Sequence, residues 1–156
     1  MPTAWRIVKK KHQQEALTGE GARRYGGRWN TAGQSLIYAA ATLSGALLEI
    51  LVHSNRQLLS HYIVYRLVVP KRLVKKIDLA KLPETWRDSP APPELAQIAD
   101  QWYAQMQSAV VEVPNSIVPL EKNYLINPNH KDFRLIDAEG PIDYDIDPRL
   151  LSSSST

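Results

Sequence analysis

Thr18-Gly19-Glu20-Gly21-Ala22-Arg23-Arg24-Tyr25-Gly26-Gly27-Arg28-Trp29-Asn30 packs four glycines and three arginines into thirteen residues. Glycine tolerates positive φ and lets a backbone come close to a ligand. Arginine offers a flat fork that grips phosphate through two parallel hydrogen bonds. The end of the stretch sets an aromatic ring and an amide beside the third cation. The same composition also fits a glycine-rich surface loop with solvated arginines. No Gly-Lys-Ser/Thr follows, which excludes a P-loop, and the glycine spacing is not that of the dinucleotide fingerprint.

Working outward, Ala4-Trp5-Arg6-Ile7-Val8 reads as a first strand, with Arg6 either facing a cleft or exposed on an edge. Lys9-Lys10-Lys11 reads as a solvated turn. After the glycine-rich stretch, Ser35 to Ala40 is a second strand. Thr42 then caps a helix running to about His53. That helix is apolar nearly all round, which predicts burial. Glu49 sits in its middle, where an unpaired carboxylate is costly. Gly45, one turn earlier, is expected to leave space above it. An isolated acid on an apolar helix is a candidate site residue, or the partner of a nearby cation. His53 follows at the spacing that pairs side chains along a helix. A metal site needs more ligands than this pair supplies, so no metal is expected.

Further on, Tyr62 to Val69 alternates as a strand and Pro70 ends it. Leu73 to Leu79 holds another short strand. Four prolines between Leu82 and Pro93 mark an irregular connection. Glu94 to Gln107 is a helix with a core-facing stripe, and Ala109 to Val113 is a buried strand closed by Pro114. The segment from Asn115 to His130 is rich in amides and prolines. Asn123, Asn127 and His130 in it either shape turns or line a pocket. Phe133 to Ile136 is a last strand candidate. Asp137 to Asp147 reads as a solvated or partner-docking acidic segment, without the spacing of a calcium loop. Residues 1–150 are expected to form one domain and 151–156 a disordered Ser/Thr tail. Strands and helices mix without regular βαβ alternation. The expected class is α+β, a compact single domain with mixed sheets and flanking helices.

The chain of 156 residues has no cysteine, so it has neither disulfides nor thiolate metal ligands. No apolar run is long enough to span a bilayer and no signal peptide is evident, so a cytoplasmic location off the membrane is expected. The net charge is +3 but unevenly placed. Residues 1–76 hold 13 Lys+Arg against 3 Asp+Glu, and residues 77–156 hold 6 against 13. A basic first half suits an anionic ligand, nucleic acid or dinucleotide alike. The absence of an evident reading helix argues against direct nucleic-acid binding. Arginines to hold a pyrophosphate, Tyr38 or Trp29 to stack on a planar ring, and Glu49 near a ribose together suit cleavage of an N-glycosidic bond. That reaction passes through an oxocarbenium-like state, which a fixed carboxylate stabilises.

Beyond this chemistry, the sequence resembles the RES-domain toxins of type II toxin–antitoxin systems. The resemblance rests on 19–30, on Ile37-Tyr38-Ala39, on Leu48-Glu49, and on Asn123-Tyr124-Leu125-Ile126-Asn127-Pro128 with His130. It implies a fold similar to ADP-ribosyltransferases and diphtheria-type toxins. It implies NAD as substrate, cleaved by hydrolysis or phosphorolysis or used for protein ADP-ribosylation. It implies that Arg6 and Arg28 are cleft arginines, that Tyr38 lies against the nicotinamide or its ribose, and that Glu49 is the acid of the chemistry. It further implies an Xre-type helix-turn-helix antitoxin whose C-terminal end blocks the cleft. The family usually reads Val-Pro-Ser-x-x-x-Pro where this chain has Val113-Pro114-Asn115-Ser116-Ile117-Val118-Pro119. Counting from either proline puts Asn115 in the Ser slot, with Ser116 beside it as the substitute hydroxyl. These two and Asn123 complete the expected binding set.

Overall fold

The computed structural model describes residues 1–53 and 61–150; the Ser/Thr tail expected at 151–156 lies outside them. Seven strands, β1 (Thr3–Lys9), β2 (Ile37–Ala40), β3 (Tyr62–Val68), β4 (Val74–Lys76), β5 (Val110–Pro114), β6 (Lys122–Ile126) and β7 (Asp137–Tyr144), form one sheet. Its order is β4-β5-β6-β2-β1-β3-β7. All neighbours are antiparallel except β4 and β5, which are joined through a helix crossover. Among the described residues three α-helices accompany the sheet: α1 (Glu20–Tyr25), α2 (Leu43–His53) and α3 (Pro93–Gln105). No helix among the described residues is long and apolar enough to cross a membrane.

The sheet has a seam. β1 pairs with β3 over its whole length but shares one paired position with β2, Trp5 opposite Ala40. Beyond that position the strands part, and the side chain of Arg6 donates through Nη1 to the Tyr38 carbonyl at 2.9 Å. Helix α2 packs over the seam, setting Ala46, Leu43, Leu47 and Ile50 against Ile7 of β1 and Ala40 of β2. The opposite face of the sheet buries Ala4, Ile37, Ala39, Ile63, Leu67 and Ile126. Leu95 and Ala99 of α3 close a third cluster with Val111, Val113, Leu125 and Trp29.

Four expectations change. The 18–30 stretch is not a loop throughout, because 20–25 forms α1. The strand expected at Phe133 to Ile136 is a 3-10 turn, Lys131–Leu135, opened by the His130 ring accepting from the Asp132 N–H at 3.0 Å. The first part of the acidic segment expected at Asp137 to Asp147 is itself the edge strand β7, Asp137–Tyr144, almost wholly exposed. Its charges face solvent, and two are paired: Glu139 with Arg66 at 2.7 Å and Asp143 with Lys10 at 3.4 Å. Charge on an edge strand discourages pairing with other sheets. Lastly, α2 is not largely buried. Only Gly45 and Ala46 are, and Val52 is 57% exposed, because the helix lies on the sheet with one face outward.

Gly19 fixes how α1 enters. It has φ +72°, and a Cβ there would come within 2.5 Å of the Leu36 nitrogen and 2.9 Å of the Ser35 carbonyl carbon. Both obstacles are backbone and cannot swing aside. Strain at positive φ and overpacking each cost about 1–3 kcal/mol. Gly19→Ala is expected to lower the thermal midpoint by about 5 °C or more. Gly21→Ala, with nothing within 4 Å of the new methyl, is expected to hold or raise it. Paired circular-dichroism melts check both, and equal midpoints would contradict the first.

Candidate active site

A cleft of about 820 Å³ opens over the seam, between the 21–29 segment and α2. Such a volume suits a drug-sized ligand. Arg6, Arg28, Tyr38, Glu49, Ser116 and Asn123 all line it. Segments far apart in sequence therefore meet there. A second chamber of about 670 Å³ adjoins it, and the two share Arg6, Ile50 and His53 among their walls.

Arg6 holds the seam. Its Nε donates to the Ala16 carbonyl at 2.6 Å and its Nη1 to that of Tyr38. Both acceptors are backbone carbonyls, and no carboxylate pairs with Arg6 among the described residues. Burial pulls the guanidinium down from its usual range to about 10. Carbonyl dipoles offset only part of the lost hydration, so the site favours a bound anion. Arg28 is anchored differently, donating to the Trp86 carbonyl at 2.9 Å. Arg23 and Arg24 are committed to carboxylates outside the cleft: Arg23 to Glu20, and Arg24 to Glu15 at 3.0 Å. Only one of the three arginines in the opening stretch thus reaches the main cleft.

Tyr38 is locked rather than free. Its hydroxyl donates to Asn30 Oδ1 at 2.5 Å and accepts from the Trp29 N–H at 3.1 Å. Asn30, only 3% exposed, spends its amide on the Ala22 and Thr31 carbonyls. Gly27 is required here, since a Cβ would lie 2.7 Å from the Tyr38 hydroxyl oxygen. The knot therefore fixes the turn that carries Arg28. Burial drives the Tyr38 phenol well above its usual range, only partly opposed by the Trp29 N–H. Tyr62 and Tyr124 are raised by burial as well.

These shifts set an alkaline limit. A raised phenol contributes stability that is present below the unfolded value near 10 and lost as pH climbs above it. Arg6, lowered, works oppositely above about 10. Three tyrosines outnumber one arginine, so the thermal midpoint is expected to fall from pH 9 to pH 11. A rise across that range would contradict the balance.

Glu49 lies on the cleft wall with its side chain 30% exposed, so it is not the interior acid that the apolar helix suggested. Its Oε2 is 3.4 Å from Nε2 of His53, whose side chain is 71% exposed. Gly45 does not make room for it. A Cβ at Gly45 would meet Thr42 Oγ1 at 2.9 Å and Glu121 Oε1 at 3.3 Å. The glycine instead clears space for the helix cap, in which Thr42 Oγ1 accepts from the Gly45 N–H and donates to Glu121.

Asn115 stands behind the wall, not on it. It is fully buried, its Oδ1 accepts from the Ile117 and Val118 N–H groups, and its Nδ2 donates to Asn123 at 3.1 Å. An asparagine that caps its own turn has little left for a ligand. Ser116 is the residue on the wall. Asn127 and His130 do not line the cleft. Asn127 is buried and caps the Asn129 N–H, and His130 bonds the Met106 carbonyl through Nε2 at 2.9 Å.

Sequence reasoning missed Trp5 and the Ser89-Pro90-Ala91 wall, which also line the cleft. The connection from 82 to 93 carried no periodic signal. Trp5 offered one, as a neighbour of Arg6 on β1.

The RES domain profile matches residues 3–147. The chain is 35% identical to "Toxin Res" of Yersinia enterocolitica, across 94% of this chain and 97% of that one. It is 36% identical to "Prs ADP-ribosylating toxin" of a Sphingobium strain, across 94% and 95%. A chain of the M. tuberculosis MbcT-MbcA toxin-antitoxin complex superposes with a TM-score of 0.77 at 18% identity, covering 96% of this chain and 86% of that one. That last likeness concerns the fold. Because every residue of the cleft lies inside the matched span, and relatives match nearly end to end, the chain belongs to the RES domain family.

Proposed function

We propose that this chain is the toxin of a toxin–antitoxin pair and that it consumes NAD by breaking the nicotinamide–ribose bond. The observation that carries the reading is Arg6, a desolvated cation without a carboxylate partner among the described residues, in one cleft with Glu49. Arg6 and Arg28 hold the pyrophosphate, and the Tyr38 ring flanks the nicotinamide ribose. Glu49 stabilises positive charge developing at the anomeric carbon. Ser116 and Asn123 supply hydrogen bonds from the facing wall, with Asn115 holding Asn123 in place. The same geometry serves transfer of ADP-ribose to a protein, a second reading favoured by the name of the Sphingobium relative.

The proposed partner is an antitoxin of Xre type whose C-terminal end occupies the cleft. A terminal carboxylate would supply the anion that Arg6 lacks. The proposed location is the cytoplasm, where NAD and such a partner meet.

The test is total cellular NAD after induction of this chain without an antitoxin. A steep fall within one generation, with growth arrest, is expected. Arrest with NAD unchanged would shift the reading to protein ADP-ribosylation. The absence of both growth arrest and NAD loss would overturn it.

A further inference from the structure

We infer that His53 is the base that takes the proton from the attacking hydroxyl acceptor, and that this acceptor enters through the second chamber. The inference rests on the NAD-cleaving reading of the cleft. Two observations carry it. His53 lies one helical turn after Glu49 with Nε2 3.4 Å from Oε2. It also lines both chambers, whereas Glu49 lines only the main cleft. His12 is the other imidazole on the second chamber's wall, but it does not reach the first.

A carboxylate oriented on one imidazole nitrogen leaves the other free to accept a proton, and it stabilises the imidazolium that results. Here Nε2 is the ring nitrogen that approaches Glu49, which leaves Nδ1 to take the proton. Histidine is suited to this exchange near neutral pH. The second chamber has the room for an acceptor, about 670 Å³, and other charged walls in Arg6, Lys9 and Arg24. Glu15, the acid on that wall, is held by Arg24 and is a poor competing base. In the step, the bond from ribose C1′ to the nicotinamide nitrogen breaks. Its electron pair neutralises the ring nitrogen, and nicotinamide leaves. The acceptor oxygen bonds to C1′, and its proton passes to His53 and then to solvent through the exposed ring. Glu49 thus serves both the developing cation and the base.

The test is nicotinamide release from NAD by purified wild type, His53→Ala and His53→Gln, each with and without added imidazole. General-base catalysis contributes about 100- to 10,000-fold. His53→Ala is expected to lose about 100-fold in kcat with KM for NAD within about threefold, and imidazole is expected to restore at least about tenfold. His53→Gln keeps a side chain in the space and is expected to be slow and unrescued. A fall in His53→Ala that imidazole does not relieve, or kcat kept within threefold of wild type, overturns the assignment while leaving the NAD reading intact. Wild type that releases no nicotinamide overturns the NAD reading, and this assignment with it.

Discussion

Glu49→Gln is expected to cut NAD consumption by about 100- to 1,000-fold while leaving the fold unchanged. The substitution keeps size and hydrogen-bonding capacity and removes only the charge. If Glu49 acts by stabilising an oxocarbenium-like state, charge is what matters, and losing one such group costs a factor of this order. Stability should barely move. Glu49 is partly exposed, and its partner His53 is mostly exposed. Such surface pairs contribute about 0–1 kcal/mol, so the thermal midpoint should stay within about 4 °C. Nicotinamide release and a melting curve on the same preparation separate the two effects. Undiminished release by the folded variant would remove Glu49 from the chemistry. A large drop in midpoint would make it a structural residue instead.

How much of this cleft was legible in the sequence depends on the type of residue. Arg6, Arg28, Tyr38 and Glu49 stand out locally, as a cation in an apolar strand, a cation in a glycine run, an aromatic in a short strand and an acid on an apolar helix. The cleft brings them together. What could not be read was the relation between segments. Asn115 and Ser116 are adjacent and chemically similar as donors. Only the turn that Asn115 caps decides that one is buried and the other faces the cleft. Gly45 looked like room for its helix neighbour, and its real neighbour, Glu121, is 76 residues away in sequence. The error at the last strand has a different cause. Phe133, Leu135 and Ile136 are apolar because they pack against the core from a turn. Asp137 to Tyr144 looks like solvated tail because an edge strand needs burial on neither face. Periodicity reports burial, and pairing without burial leaves no such trace.

Arg6 gives the sharpest separation between stability and binding. Arg6→Met keeps the apolar stem and removes the cation, including the two nitrogens that donate to the carbonyls. The Ala16 and Tyr38 carbonyls then lose their partner, at about 1–3 kcal/mol each. Against this, the fold no longer has to desolvate a guanidinium. A shift from 12.5 to about 10 corresponds to a penalty on the order of 3 kcal/mol. The two effects are of similar size and opposite sign. Net destabilisation should therefore be no more than about 3 kcal/mol, well inside the stability of a typical domain. Binding has no such compensation. Removing one partner of a buried charge-assisted contact costs about 2–5 kcal/mol, which is roughly 30-fold or more in affinity. The KM for NAD should rise accordingly in Arg6→Met. Arg6→Lys should lie between, since a single ammonium keeps the charge but lacks the fork that spans two carbonyls and an anion. ADP-ribose, a product-like anion, should raise the melting midpoint of wild type and leave that of Arg6→Met nearly unmoved. Equal ligand-induced shifts in the two proteins would make Arg6 a brace for the seam alone, and the anion would then have to be held by Arg28.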